Sequence, residues 1–258
     1  MKNKLVIAVL TILSLVVLAS GGYVLGQRAI EYVEGDQAYS GLEEYVSFPE
    51  AGQEADEPDS VQQTEAPEEQ AGAPSVNFAA LSRINPDIVG WLYCEGTAIN
   101  YPVVQGKDDV FYLDHLFDGT QNANGCLFLD SRVDASFSSV HSIIYGHHMR
   151  SGAMFASLDG YKRQSYYDAH PSMLLLTPDA TYEVRLFAAY VAEPSESAWE
   201  VSFSSDEEVR SWIDAAIARS TFESDVKPAP GDRLLTLSTC SYEFTDARFV
   251  VVGWLSGL

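Results

Sequence analysis

Apolar positions along the chain recur mostly in short runs, and these runs predict strands. They are rich in β-branched residues and bounded by turn residues. We predict strands over residues 90–93, 99–104, 125–129, 142–145, 173–177, 182–191, 233–238 and 248–255. Within one of them, residues 182–187 alternate apolar and polar positions, as in a strand with one buried face. This many strands at short spacing predict a closed barrel or a sandwich.

Helical spacing of apolar residues appears at two places after residue 76. Residues 77–84 have such spacing, with Asn77 as the N-cap and Pro86 as the stop. A second helix is predicted from about residue 206 to 220, where Ser205 and Glu208 have the spacing of a capping box. Its apolar stripe consists of Val209, Trp212, Ile213, Ala216 and Ile217. The region is therefore predicted to be mainly β, with one helix at its start and another between two late strands.

The N-terminus contains a long uncharged stretch, residues 5–26, preceded by Lys2 and Lys4. At about 1.5 Å per residue it would form about 33 Å of helix, enough to cross a bilayer core. The lysines favour a cytoplasmic N-terminus, so the rest of the chain would face outward. A cleaved signal peptide is the alternative, but the apolar stretch continues past the small-residue site at 19–21. We therefore predict an uncleaved, single-pass membrane anchor over residues 1–26 and an extracellular domain.

Residues 27–75 differ from the rest of the chain in composition. They hold thirteen acidic residues and one arginine, and residues 49–74 contain no aromatic and no basic residue. Such a segment cannot bury enough apolar surface to fold and extends by self-repulsion. The apolar residues within 27–48 are compatible with a short helix. We predict a largely disordered acidic stalk over 27–75 and a folded domain over 76–258. The formal net charge of −22 argues against nucleic acid as a partner, because phosphate binding needs a basic surface.

The three cysteines, Cys94, Cys126 and Cys240, are an odd number without CxxC spacing, so a zinc knuckle is not supported. Cys94 and Cys126 lie in apolar runs and are predicted to be buried small hydrophobes. Cys240 ends one apolar run, and Arg248 opens the next after a short polar link. Such a pair of runs predicts a hairpin with the thiol beside the guanidinium. A thiol next to a fixed positive charge favours thiolate, the reactive form.

Among the five histidines, His147 stands out by its context. It follows a buried-looking strand and Gly146, which allows a sharp turn, and a strand end is a rigid base for a functional side chain. The adjacent His148 would point to the other face and is predicted to face solvent. The acidic pairs Asp108–Asp109 and Asp130 with Asp134 lack EF-hand spacing and are interpreted as solvated turns. We therefore expect no metal and no cofactor.

Three segments together resemble the signature segments of sortases, the Gram-positive cell-surface transpeptidases. They are Ile-Tyr-Gly-His at 144–147, Thr-Leu-Ser-Thr-Cys at 236–240 and Ala-Arg-Phe-Val-Val at 247–251. Further segments resemble class B sortases in particular: residues 85–92, 99–105, 125–130 and 240–244. The predicted late helix lies where class B members carry an extra helix between two strands. The resemblance covers about residues 77–258 and implies an eight-stranded β-barrel.

The resemblance also implies roles for individual residues. Cys240 would be the nucleophile that forms a thioester with a sorting peptide, and His147 the acid and base that handles both amines. Arg248 would donate hydrogen bonds to the substrate carbonyl or the developing oxyanion. Weaker candidates for lining the substrate pocket are Tyr145, Ser238 and Thr239, for which strand packing is the alternative.

The partners implied by the resemblance are secreted proteins with a C-terminal sorting motif, which is of the Asn-Pro-x-Thr type in class B. The acceptor would be an amine of peptidoglycan or of its lipid-linked precursor. Three alternatives remain: a pilin-polymerising sortase, a thiol hydrolase or protease without an acceptor amine, and a non-catalytic wall-binding module. The absence of papain-type surroundings argues against the second, and the presence of all three catalytic residue types against the third.

Overall fold

A closed barrel of eight strands forms the centre of the computed structural model, which describes residues 2–47, 74–193, 195 and 197–258. Two short strands precede the barrel and pair antiparallel with each other, β1 (Val46–Ser47) and β2 (Ser75–Val76). The barrel strands are β3 (Ile88–Tyr93), β4 (Asn100–Val104), β5 (Leu127–Leu129), β6 (His141–Tyr145), β7 (Ser172–Leu176), β8 (Thr181–Ala192), β9 (Leu234–Cys240) and β10 (Arg248–Gly257).

The order of strands around the barrel is β10, β8, β7, β3, β4, β5, β6 and β9, which returns to β10. Two neighbouring pairs are parallel, β4 with β5 and β6 with β9. Side chains such as Trp91, Leu127, Leu237 and Phe249 fill the interior and are fully buried. All eight predicted strands are present, with ends that differ by about two residues or fewer. The sequence prediction of an eight-stranded barrel is confirmed.

The two predicted helices of the domain are also present. α2 (Phe78–Ile84) begins where the Asn77 side chain accepts a hydrogen bond from the Ala80 N–H at 3.0 Å. α3 (Gln164–Ala169) follows a 3-10 helix, Phe155–Lys162. α4 (Asp206–Arg219) lies between β8 and β9, and the Ser205 hydroxyl accepts from the Glu208 N–H at 3.3 Å. Four of the five residues of the predicted apolar stripe are buried and pack with residues of β8. The fifth, Ile217, is exposed.

The predicted membrane anchor is wrong. Within the part of the chain that the structure describes, no helix is both long enough and apolar enough to cross a membrane. The uncharged stretch 5–26 is not an element of its own but part of α1 (Lys2–Leu42), a helix of 41 residues. Length and absence of charge were therefore insufficient criteria, because the helix continues into acidic residues and its last turns bury Tyr39 and Leu42 against the domain.

The region predicted as an acidic stalk is described only at its ends. Residues 27–42 belong to α1, and a 3-10 turn, Glu43–Tyr45, leads into β1. Residues 48–73, which hold most of the predicted stalk, lie outside the described residues. The domain boundaries after residues 26 and 75 stay predictions.

Candidate active site

Three neighbouring strands of the barrel, β6, β9 and β10, bring Cys240 between a histidine and an arginine. Cys240 at the end of β9 pairs directly with Arg248 at the start of β10. On the other side β6 runs parallel to β9 with Tyr145 opposite Ser238, and the Gly146 N–H donates to the Ser238 carbonyl at 3.1 Å. His147 and Cys240 each follow this last pair by two residues, and both line the same pocket.

A pocket of about 180 Å³ opens at this end of the barrel. Its lining contains all six predicted site residues together with four others: Asp109, Leu113, Phe128, Tyr145, Gly146, His147, Ser238, Thr239, Cys240 and Arg248. A larger open groove of about 880 Å³ lies elsewhere, between α3, β8 and the end of α4, and contains none of the predicted residues. The predicted site residues therefore converge on the smaller of these two cavities.

Main-chain atoms of residues 112–126, called the 112–126 loop below, lie against the His147 ring. His147 Nε2 lies 2.6 Å from the Leu113 carbonyl. Since a carbonyl only accepts, Nε2 must carry a hydrogen, and in the neutral ring Nδ1 then carries the lone pair. Gly125 has a φ of +59°, and a Cβ there would lie 3.0 Å from His147 Cδ2 and less than that from the Tyr112 and Leu113 carbonyls. Only glycine can therefore occupy position 125 of the loop, next to the imidazole, without strain.

The neighbouring His148 does not face solvent as predicted. Its Nε2 lies 2.9 Å from Asp159 Oδ2, and its side chain is only 16% exposed. The ring also packs edge-on against Tyr242 at 5.4 Å. The 3-10 helix that carries Asp159 covers this face, which the alternation of side chains along a strand does not report. His148 is not among the residues that line the pocket.

A charged cluster around Lys162 connects this 3-10 helix to the loop after Cys240. Lys162 Nζ lies 2.8 Å from both Asp159 Oδ1 and Glu243 Oε1. The Ser241 hydroxyl donates to the other Glu243 oxygen. The hydrogen bond from Lys162, followed by that from Ser241, lowers the pKa of Glu243 to about 2. The Lys162 cluster therefore ties the segment after the thiol to the segment after the histidines.

The three cysteines differ in accessibility, and none forms a disulfide. Cys94 and Cys126 are buried, as predicted. Burial raises the pKa of Cys126 to about 12 and also raises the pKa of Cys94. Cys240 is half-exposed and lines the pocket, so it is the thiol that an external reactant can reach.

Arg248 is positioned at the rim by the loop that joins β9 and β10. Its Nη1 donates to the carbonyls of Asp246 and Ala247, each at 3.2 Å. The Ser241 N–H donates to the Ala247 carbonyl at 2.8 Å, which closes the loop. Among the described residues the Arg248 guanidinium makes no ion pair, so its remaining donors are available to a ligand in the pocket.

The floor of the pocket is formed by Tyr145, Ser238 and Thr239. The Tyr145 hydroxyl donates to Asp130 Oδ2 at 2.8 Å, and Arg132 holds the same carboxylate through Nε at 2.9 Å and Nη2 at 2.6 Å. Burial by itself raises the pKa of Asp130, but the hydrogen bonds from Arg132 and Tyr145, together with the positive charge of Arg132, hold the pKa below its usual value. Asp130 is fully buried, so its interpretation as part of a solvated turn is wrong.

The hydroxyls of Ser238 and Thr239 are buried and have no hydrogen-bond partner within the described part of the chain. Buried polar groups are nearly always paired in folded proteins, and exceptions concentrate at functional sites. Both residues line the pocket beside Cys240. Because they are consecutive in β9, their side chains point to opposite faces of the strand, and Ser238 shares its face with Cys240.

Four pocket residues were not predicted: Asp109, Leu113, Phe128 and Gly146. Asp109 was interpreted as a turn residue, and its Oδ1 accepts from the Ser131 N–H at 2.7 Å. Leu113 acts through its main-chain carbonyl, which no side-chain pattern can report. The glycine at 125, just before the run at 127–129, was the available signal, since an isolated glycine often marks close approach of a backbone.

A closed barrel with a reachable thiol between an imidazole and a guanidinium defines a cysteine transpeptidase of the sortase type. A family model described as "Sortase domain" matches residues 92–256. The chain belongs to the sortase family, and its relatives place it in class B. It is 35% identical over 177 residues to sortase B of Staphylococcus aureus (strain NCTC 8325 / PS 47), covering 68% of this chain and 72% of the relative. It is 34% identical to sortase B of Listeria monocytogenes serovar 1/2a, with the same coverage.

Solved structures agree with this assignment. The S. aureus sortase B–substrate complex superposes with a TM-score of 0.67 at 33% identity, covering 70% of this chain and 85% of that chain. Sortase B from B. anthracis in complex with AAEK1 superposes with a TM-score of 0.72 at 29% identity, covering 89% and 99%. The predictions of a class B sortase and of a cysteine transpeptidase are confirmed.

Proposed function

We propose that this protein cleaves a C-terminal sorting motif of secreted proteins and joins them to an amine of cell-wall peptidoglycan through a thioester on Cys240. The observation that carries the proposal is the position of Cys240 between His147 and Arg248 in one pocket. Support for a peptide substrate comes from the solved S. aureus relative, which is a substrate complex. The catalytic roles of the three residues are part of this proposal.

In the first half-reaction the Cys240 sulfur, as thiolate, attacks the carbonyl carbon of the scissile peptide bond. The C–N bond breaks, and protonated His147 gives its proton to the leaving amine. Because Nε2 is held by the Leu113 carbonyl, Nδ1 is the nitrogen free to exchange this proton. The products are a thioester on Cys240, a released amine and a neutral imidazole.

In the second half-reaction an acceptor amine attacks the thioester carbonyl. His147 Nδ1 takes a proton from the attacking amine, and the sulfur leaves as thiolate, which restores the starting charges. In both halves the negative charge that develops on the carbonyl oxygen needs donors already in place. In this proposal the N–H donors of Arg248 that make no bond within the described residues supply this stabilisation.

The test is incubation of the full chain with peptides that carry Asn-Pro-x-Thr-type motifs and with an amine acceptor, followed by mass spectrometry of the products. We expect a transfer product and a thioester adduct on Cys240. Cys240→Ala and His147→Ala should lose more than about a thousandfold in rate. The matched controls Cys94→Ala and His148→Ala should lose far less. Cys240→Ala that cleaves as well as wild type would contradict the proposal.

The choice of acceptor separates this proposal from its alternatives. Peptidoglycan-type peptide amines should be used in preference to a lysine side chain of a pilin-like peptide. The reverse preference would favour a pilin-polymerising enzyme. Hydrolysed peptide alone, at every amine concentration, would favour a thiol hydrolase.

A further inference from the structure

The last turns of α1 pack on the 112–126 loop through one face of the helix. The Asn122 side-chain amide donates to the Glu31 carbonyl at 2.9 Å. One turn later Gly35 lies against the Asn124 side chain, and another turn later the Tyr39 hydroxyl donates to the Gly125 carbonyl at 2.5 Å. Residues at i, i+4 and i+8 share a helix face, so these contacts form one continuous docking strip.

The opposite side of the same loop holds the His147 ring. The Leu113 carbonyl binds Nε2, and a Cβ at Gly125 would lie only 3.0 Å from the ring carbon Cδ2. Gly125 therefore faces the imidazole, while its carbonyl accepts a hydrogen bond from the Tyr39 hydroxyl.

From this arrangement we propose that residues 31–42 of α1 are a positioning element for His147, with Tyr39 and Gly35 as its positioning residues. The inference rests on the proposed function, because it assigns His147 as the acid and base. The helix fixes the loop, and the loop fixes both the tautomer and the direction of the imidazole. Tyr39 and Gly35 do not line the pocket and so act through the loop.

The two ends of the loop are anchored in the domain, because Tyr112 and Cys126 are buried in the core and the Cys126 N–H donates to the Tyr112 carbonyl at 2.9 Å. The Gly125 carbonyl is instead held from α1, by the Tyr39 hydroxyl. Two glycines of the loop, Gly119 and Gly125, have a positive φ. Tyr39 is buried, and burial raises the pKa of its hydroxyl well above the usual value, so it remains a donor. Loss of that donor would leave a buried carbonyl unpaired.

Two glycines of α1 provide a matched pair for the test in the full chain. A Cβ at Gly35 would lie 1.9 Å from Asn124 Nδ2, and Asn124 is only 1% exposed, so it has little room to move aside. A Cβ at Gly41 would meet nothing within 4 Å. Gly35→Ala and Gly41→Ala make the same chemical change in the same helix. Only the first pushes the helix away from the loop.

We expect Gly35→Ala to lower kcat of the transfer reaction about tenfold with KM nearly unchanged, because the imidazole shifts relative to Cys240 while the peptide pocket stays intact. Gly41→Ala should keep kcat within about twofold. Adding Asn124→Ala to Gly35→Ala removes the collision and should restore most of the lost kcat. If Gly35 served only the stability of the fold, Gly35→Ala would lower the folded fraction, but the folded enzyme would keep the kcat of wild type.

A second variant tests the hydrogen bond without any collision. Tyr39→Phe should lower kcat by about threefold to tenfold. Tyr161→Phe is its control, since the Tyr161 hydroxyl is also buried and donates to a carbonyl, that of His170, at 2.9 Å, outside the loop. The Tyr161→Phe variant should match wild type in kcat after correction for the folded fraction measured by circular dichroism.

The outcomes separate this inference from the proposed function. If wild type transfers peptide but Gly35→Ala has the kcat of Gly41→Ala, and Tyr39→Phe that of Tyr161→Phe, the helix does not position His147. The proposed function would then still stand. If wild type gives no thioester and no transfer, the proposed function itself fails.

Discussion

The two sides of Cys240 are built in different ways. On one side, Arg248 belongs to the next strand of the same hairpin, and an antiparallel ladder runs from Arg248 opposite Cys240 to Trp254 opposite Leu234. On the other side, His147 follows β6, whose pairing with β9 includes a side-chain contact across 95 residues of chain. The imidazole there also depends on the 112–126 loop, and the loop in turn contacts α1.

This difference predicts how each side fails. The Arg248 guanidinium donates to carbonyls of its own loop, and Arg248 opens a strand that is paired on both sides, with β9 and with β8. We therefore expect the Arg248 side to lose function mainly through the guanidinium itself. The His147 side combines contributions from several distant segments, so substitutions far from the pocket should reach it. The experiments below test that contrast, from the largest expected effect to the smallest.

Arg248→Gln should give the largest loss on the hairpin side. Removing a donor to a developing oxyanion lowers kcat by about a hundredfold to a thousandfold. The melting temperature should hardly change, because in the structure Arg248 only donates to two carbonyls of its own loop. The control is Arg185→Gln on β8, whose guanidinium stacks on Trp254 and lies outside the pocket. Equal losses in both variants would mean that Arg248 has no special role.

His141 at the start of β6 tests the strand pairing on the other side without touching the pocket. Its Nδ1 donates to the Glu200 carbonyl at 2.5 Å, and Nε2 accepts from the Thr236 hydroxyl at 2.7 Å. Burial lowers the pKa of His141 from 6.5 to about 4. The unfolded chain therefore binds a proton more readily than the folded one as pH falls from about 6.5 to about 4.

The free energy of unfolding should therefore decrease by about 3 kcal/mol in total as pH falls through that range. Above about pH 6.5 this loss should be absent. Urea denaturation at pH 7.5 and at pH 4.5 measures the difference. His141→Gln lacks the titrating group and should show a smaller decrease. An identical pH dependence in the variant would show that other groups dominate.

Gly125→Ala should damage the His147 side through the loop. The new Cβ would lie 2.7 Å from the Tyr112 carbonyl and 3.0 Å from the His147 ring. Gly119→Ala is the control, because Gly119 also has a positive φ, +82°, but a Cβ there meets nothing within 4 Å. Both variants should lose about 1–2 kcal/mol of stability from backbone strain. Only Gly125→Ala should in addition lose about tenfold in kcat; equal kcat values would remove the loop from the mechanism.

Glu243→Gln in the Lys162 cluster should have the smallest effect. The pair with Lys162 is largely exposed, so its loss should change the unfolding free energy by less than about 1 kcal/mol. Because the pKa of Glu243 is lowered to about 2, its contribution is present above about pH 4.5 and lost as pH falls toward 2. Thermal unfolding at low and high salt measures it. A larger, salt-independent loss would mean that the cluster holds the two loops rigidly.

The sequence predicted the elements whose signals are local. Alternation and β-branched runs predicted all eight strands, and the capping residues Ser205 and Asn77 predicted two helix starts. The contact of Cys240 with its Arg248 neighbour was predictable because a hairpin needs only a short turn. Its partner on the other side, His147, was chosen from its position after a strand and a glycine.

Contacts that depend on distant segments were missed or predicted wrongly. The hydrogen bond between His147 and Leu113 uses the Leu113 main-chain carbonyl, so the pattern of side chains cannot predict it. Asp130 and His148 were assigned to solvent because the elements that cover them are brought there by folding. Tyr145 of β6 donates to Asp130, and Asp159 of the 3-10 helix pairs with His148. The membrane anchor was inferred from an uncharged stretch whose continuation into a domain-docking helix was not visible in its own residues.

The parallel pairing of β6 with β9 has a consequence for folding kinetics. Strands β6 and β9 are far apart in sequence, so a large loss of chain entropy precedes any contact between them. The β9–β10 hairpin, in contrast, closes over a few residues. A hairpin formed early would already hold the Cys240 thiol beside Arg248, before His147 is in place. Closure of the barrel is therefore the step that would bring the His147 imidazole to this pair and complete the proposed site.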